Sequence, residues 1–138
     1  MTRLLILHKK TDPIEQIDAW AKQLEALAEA TPGMSKHYSI ASAREDYGSK
    51  AASAGSFEAW ARDVAVGIDP QTRQPRYDWF IVVGNGSMGK ITAQIVKLAL
   101  QRSAPVYWLG PDGICRKVAK VEWAGGQWKD GRSVGIAP

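Results

Sequence analysis

The chain has 138 residues, of which 45% are hydrophobic and 23% are charged, and its formal net charge is +4. These values are typical of an ordinary globular chain and exclude collagen-like and intrinsically disordered classes. The single cysteine, Cys115, cannot form an internal disulfide. No apolar run approaches the roughly 18 residues of a membrane-spanning helix. We therefore expect one domain over residues 1–138, a cytoplasmic location and no membrane partner.

The basic residues are scattered along the chain, and the longest basic run is Lys9-Lys10. A chain that binds nucleic acid usually concentrates its positive charge in one stretch or on one face. Six tryptophans could stack on bases, but most of them occupy positions that helix or strand packing explains. We therefore expect no nucleic-acid partner, whereas a phosphate-bearing small molecule needs only a few basic residues.

Apolar patterns divide the N-terminal half into strands and helices. An aliphatic run at 3–8 predicts a buried strand. The next element is a helix, because Asp12 suits the N-cap, Pro13 suits the first helical position and Glu15 falls at the third. The same reasoning predicts that this helix carries its core face over 14–28 and ends at 31–33, and that a strand at 36–43, a loop at 44–55 and a helix at 56–66 follow.

The C-terminal half contains the clearest strand of the chain. Its elements, read from the same patterns, are a strand at 77–83, a helix at 87–102, a strand at 105–109, and two strands at 118–123 and 128–134 around Gly125-Gly126. Strands that alternate with helices, followed by a hairpin, predict an α/β protein. We expect a Rossmann-like three-layer fold with a mainly parallel sheet and a C-terminal antiparallel hairpin.

A glycine-rich turn connects the clearest strand to the helix that follows it. Its sequence, Gly84-Asn85-Gly86-Ser87-Met88-Gly89, matches G-x-G-x-x-G. Backbone amides of such a turn can bind phosphate, helped by the positive end of the helix dipole. Asp112 lies 23 residues beyond Gly89, where dinucleotide-binding domains carry a ribose-binding acid. NAD(P) binding is therefore one alternative, although little chain is left for a second mononucleotide-binding half.

The same turn nearly satisfies the P-loop pattern G-x-x-x-x-G-K-[ST], with Lys90 at the terminal phosphates. Position 91 is isoleucine, however, and Thr92 comes one residue late, so its hydroxyl would lie about 100° away around the helix. No apolar strand ending in aspartate supplies a Walker B motif. These departures disfavour a P-loop nucleotide hydrolase.

The stretch 77–109 combines the apolar strand, the glycine turn, a helix containing Thr92-Ala93-Gln94 and the strand Ala104-Pro105-Val106-Tyr107-Trp108. In this pattern it resembles the nucleoside 2-deoxyribosyltransferase family and the related lysine-decarboxylase-like proteins. Those families place a glycine-rich turn before a helix, often as G-T-x-x-E, and return through a G-K-P-V strand. The resemblance implies a nucleotide- or nucleoside-binding domain that forms a homo-oligomer, most simply a dimer.

The resemblance also suggests a reaction, the transfer or hydrolysis of an N-glycosidic bond. The family's catalytic glutamate falls on Gln94, and a carboxamide is a far poorer nucleophile than a carboxylate. Glu45 or Asp46, in the loop after the second strand, could supply a carboxylate instead. A binder that has lost the chemistry fits the same residues, so the sequence leaves open whether the chain is an enzyme.

We therefore expect a nucleotide or nucleoside at 84–89, with a non-enzymatic sensor or sequestering module and an NAD(P)-binding protein as alternatives. Trp108 is the tryptophan best placed to stack on a base. We expect no cofactor and no metal, because no His, Cys, Asp or Glu spacing resembles a metal site, and we expect Cys115 to be inert. The expected ligand-binding residues are His8, Gly84, Asn85, Gly86, Ser87, Met88, Gly89, Lys90 and Asp112.

Overall fold

A computed structural model of the protein describes residues 2–9, 12–30, 38–42, 57–84, 87–124 and 127–135. The helices within these ranges are α1 (Ile14–Ala30), α2 (Phe57–Val66) and α3 (Lys90–Gln101). The strands are β1 (Thr2–Leu7), β2 (Tyr38–Ser42), β3 (Trp79–Val83), β4 (Ser87–Met88), β5 (Val106–Leu109), β6 (Cys115–Ala124) and β7 (Gln127–Gly135). α1 thus begins one residue after its expected start at Pro13.

The described strands form one sheet in the order β2-β1-β3-β5-β6-β7-β4. The first four are mutually parallel, and β3 lies between β1 and β5. The ribbon β6–β7 continues the sheet with antiparallel pairing. The predicted α/β fold, with parallel strands and a C-terminal antiparallel hairpin, is confirmed.

Helices cover both faces of the parallel strands. Phe80 and Val82 pack in a cluster with residues of α2 and α3, whereas Ile81 packs in a second cluster with Leu24 of α1. Alternate residues of a strand point to opposite faces of the sheet. Since helices cover both faces of β3, this strand is apolar at every position. The three-layer arrangement is therefore confirmed. No helix in the described ranges is long and apolar enough to cross a membrane.

The helix predicted to begin at Ser87 begins three residues later, so that prediction is wrong at its start. Ser87 and Met88 instead form β4, which pairs antiparallel with β7. Met88 is only 7% exposed and packs in the cluster under α2 and α3. Burial of this side chain and pairing of its backbone stabilise an extended segment where local sequence alone favours a helical turn.

The ribbon β6–β7 bends out of the plane of the sheet. β4 lies four positions from β3 in the strand order, which is about 19 Å in a flat sheet. The chain from Val83 to Ser87 spans at most about 14 Å, so the outer half of the ribbon must curve back toward β3. The ladder shifts register between Val118 and Lys120 and again between Lys120 and Val121, and such bulges bend a strand.

Candidate functional site

The site lies at the carboxyl edge of the parallel strands. β1 is followed by β2 on one side and β3 is followed by β5 on the other, so the strand order reverses between β1 and β3. Open α/β sheets bind ligands in the crevice at such a reversal. His8 follows β1, Gly84 follows β3, and Leu7 pairs with Val82. The fold therefore brings together two of the expected ligand-binding residues that are far apart in sequence.

A tight turn after β1 holds His8. Its Nδ1–H donates to the carbonyl of Lys9 at 2.8 Å, and the same carbonyl accepts from the amide of Asp12 at 3.0 Å. The Asp12 carboxylate in turn accepts from the Lys9 amide at 2.8 Å. Because a carbonyl can only accept, Nδ1 of His8 is the protonated nitrogen in this hydrogen bond.

Gly84 adopts a backbone conformation that favours glycine, with φ of +106°. Its amide donates to Leu109 at 3.2 Å, and its carbonyl accepts from the indole Nε1–H of Trp108 at 2.7 Å. Both neighbours belong to β5, so this strand fixes the first residue of the glycine turn. The guanidinium of Arg116 lies over the ring of Trp108, 5.1 Å from its centre, so one face of the ring that was expected to stack on a base is already in contact with a cation.

Asp112 lies just beyond β5, at the edge where it was expected. Its carboxylate accepts from Arg116 Nη2 at 2.7 Å and from the Ile114 amide at 3.0 Å. The bond from Arg116, followed by that from Ile114, holds the pKa of the Asp112 carboxyl below its usual value. Gly110 makes room for the pair, because a Cβ there would lie 2.9 Å from an Asp112 oxygen. A ribose hydroxyl would have to compete with these partners for Asp112.

The amino terminus of α3 also lies at this edge. Its N-cap, Gly89, has an extended backbone and no side-chain cap hydrogen bond, and no acidic residue occurs in the first turn. A Cβ at Gly89 would meet no atom within 4 Å, so the space beside this N-cap residue is open. The first amides of a helix lack intrahelical partners and carry partial positive charge, which suits an anion.

Of the remaining predicted site residues, Ser87 lies in β4 and Lys90 is the first residue of α3. The Met88 side chain belongs to the core, so only its backbone, already in the ladder with β7, could approach a ligand. Gln94 is half-buried and lies one turn from the start of α3 rather than two, because the helix begins at Lys90. The predicted site residues outside the described ranges are Glu45, Asp46, Asn85 and Gly86.

Nucleophilic and metal chemistry find little support in the described residues. Cys115 is buried, and burial raises the pKa of its thiol to about 11. The thiol is therefore protonated at neutral pH and is a poor nucleophile. Within the described ranges, no three His, Cys, Asp or Glu side chains converge on a point where they could hold a metal ion.

Sequence reasoning did not single out Arg116, whose guanidinium lies over the ring of Trp108 beside the turn. It also missed the approach of β7 to the turn, where Ser87 pairs with Lys129. Both depend on cross-strand register, for which the local sequence has no pattern. Comparisons of the chain with protein-family models, with curated proteins and with solved structures find no match.

Proposed function

We propose that the protein binds a nucleotide or nucleoside at the carboxyl edge of its parallel sheet, between β1 and β3. The observation that carries the proposal is the meeting of Gly84 and the uncapped start of α3 at the strand-order reversal. A turn of this kind lets a ligand approach the backbone closely, and the helix dipole favours a negatively charged group.

The residues around the turn suit the parts of such a ligand. The open space at Gly89 admits a group beside the start of α3, and His8 follows β1 at the same edge of the sheet. Gln94 offers an amide donor and acceptor but no nucleophilic carboxylate. We therefore propose binding, by a sensor or sequestering module, ahead of N-glycosidic chemistry, for which Glu45 and Asp46 are the candidate carboxylates. NAD(P) binding is the weaker alternative, because Arg116 already binds Asp112.

Calorimetry with a panel of nucleosides and nucleoside monophosphates tests the proposal. We expect the parent protein to bind at least one member, and a hundredfold excess over Kd to stabilise the fold by about 2.7 kcal/mol. Gly89→Val should abolish binding and leave the protein folded, because its side chain enters open space on an extended backbone. Ala26→Val, on the exposed side of α1, is the matched control and should bind as the parent does.

Two results would contradict the proposal. One is a parent protein that binds no member of the panel. The other is a Gly89→Val variant that binds as tightly as the parent, which would make the turn purely structural. Release of free base by the parent would add catalysis to binding, and the alanine variants of Glu45, Asp46 and Gln94 would then identify the residue responsible.

We also propose that the protein forms a homodimer through the sheet face that carries α1. The half-buried rings of Trp79 and Tyr107 lie 5.1 Å apart on this face. After β5 the chain continues into the ribbon rather than into a helix. Trp20 of α1 packs against the same cluster as Tyr107. An apolar face of this kind suits an isologous contact with a second copy. Sedimentation as a monomer at about 50 μM would contradict this assembly, since a stable dimer has a Kd of micromolar or below.

A further inference from the structure

A chain of contacts connects the start of β6 to the glycine turn. The guanidinium of Arg116 lies 5.1 Å from the centre of the Trp108 ring, and the indole Nε1–H of Trp108 donates to the Gly84 carbonyl at 2.7 Å. The indole of Trp108 therefore contacts both the guanidinium and the first residue of the turn. The Arg116 side chain is 25% exposed, so a ligand over the turn can reach it from solvent.

Asp112 holds this guanidinium in place and partly neutralises it. The Asp112 carboxylate accepts from Nη2 of Arg116 at 2.7 Å and from Nη1 at 3.4 Å. The Asp112 side chain is 45% exposed, and an exposed ion pair of this kind contributes little net free energy. A phosphate, which a guanidinium binds through two parallel hydrogen bonds, can therefore take the place of the carboxylate.

We infer that Arg116 is the residue that recognises phosphate in the proposed site, and that the ligand is a phosphorylated nucleotide rather than a free nucleoside. This inference rests on the proposed function. The phosphate lies between the start of α3, where no acidic side chain occurs in the first turn, and the guanidinium on Trp108. Asp112 then positions Arg116 before the phosphate binds, and it does not contact the ribose.

The test compares adenosine with adenosine 5′-monophosphate, and the same pair for the other bases, by calorimetry on the full chain. We expect the monophosphate to bind about tenfold more tightly or better, the effect of one charge-assisted hydrogen bond. Arg116→Met should remove most of that ratio, because the variant loses the group that binds the phosphate but not the nucleoside. Lys22→Gln, which removes one positive charge from the exposed side of α1, should leave the ratio as in the parent.

The ratio separates recognition from structural support, because a variant that merely loosens the turn weakens both ligands alike. Asp112→Asn should raise affinity for the monophosphate severalfold, since it releases Arg116. Equal binding of nucleoside and monophosphate by the parent, or a ratio unchanged in Arg116→Met, would overturn the inference and leave the proposed function standing. Weaker binding of both ligands by Asp112→Asn would show that Asp112 contacts the ribose and would contradict its proposed role in positioning Arg116. Failure of both ligands to bind the parent would overturn inference and proposed function together.

Discussion

The two edges of the parallel sheet use their polar groups in different ways. At the amino edge, arginine side chains are bound to carbonyls and carboxylates of the chain itself. At the carboxyl edge, Arg116 and Asp112 form a similar pair, but glycines there also face open space, since a Cβ at Gly84, Gly89 or Gly113 would meet no atom within 4 Å. The difference agrees with the proposed function, in which the amino edge stabilises the fold and the carboxyl edge binds the ligand.

Two arginines bind neighbouring segments of the chain at the amino edge. Arg3 binds the Asp69 carboxylate at 3.1 Å and the Pro75 carbonyl at 2.9 Å. Arg102 donates to the carbonyls of Ala65 and Tyr77 at 2.6 and 2.7 Å. The planar guanidinium can satisfy several acceptors at fixed angles, so these two side chains connect the segment between α2 and β3 to β1 and to the end of α3.

Removal of Arg102 should have the largest effect on the free energy of unfolding, because this side chain binds two segments at the amino edge. Arg102→Met leaves the Ala65 and Tyr77 carbonyls without this donor. It also removes the guanidinium that lies over the Phe80 ring, 5.5 Å from the ring centre. We expect a loss of about 2–4 kcal/mol in the free energy of unfolding. Urea denaturation measures this loss, and Arg102→Lys, which keeps the charge but not the fork, should fall between variant and parent. If the ligand affinity of Arg102→Met fell along with its stability, the amino edge would also contribute to binding, and the division between the two edges would be wrong.

An effect of intermediate size should distinguish two glycines of the carboxyl edge. Gly84→Ala places an L side chain at a φ of +106°, which costs about 1–3 kcal/mol of backbone strain. Gly89→Ala adds the same methyl group on an extended backbone and should cost less than about 1 kcal/mol. Urea midpoints of the two variants test the contrast. Equal losses would mean that the positive φ of Gly84 is not what the turn requires.

The smallest expected effect concerns one carboxylate at each edge. The Gln71 amide and then Arg3 lower the pKa of Asp69, and Arg116 and then the Ile114 amide lower that of Asp112, both from 3.8. A carboxyl whose pKa is lowered in the folded state stabilises the fold above its unfolded pKa, and this contribution disappears as the pH falls through the folded value.

The urea midpoint should therefore decrease as the pH is lowered from about 5 to about 2. Asp69→Asn and Asp112→Asn should each remove a small part of that decrease, because both carboxylates are accessible to solvent. Asp18→Asn, on the exposed side of α1, is the control. A pH dependence that neither Asp69→Asn nor Asp112→Asn alters would mean that these ion pairs contribute nothing to stability.

Of the described strands, the sequence alone predicted all but β4, and it also predicted the helical faces and the fold class, because these depend on local periodicity. The apolar run before Gly84 identified the central strand, and the glycine after it marked the position that the structure shows at positive φ. The alternation of strands with helices implied parallel pairing, and with it a carboxyl edge to which His8 and Gly84 both belong.

Only the tertiary structure decided how that edge is built. Local sequence favoured a helix from Ser87, but pairing with β7 and burial of Met88 made this segment a strand. The bond from Trp108 to Gly84 and the guanidinium of Arg116 over the same ring join residues on different elements. Such contacts depend on strand register and on the curvature of the ribbon, which arise when distant segments pack together, and no periodicity within one segment specifies them.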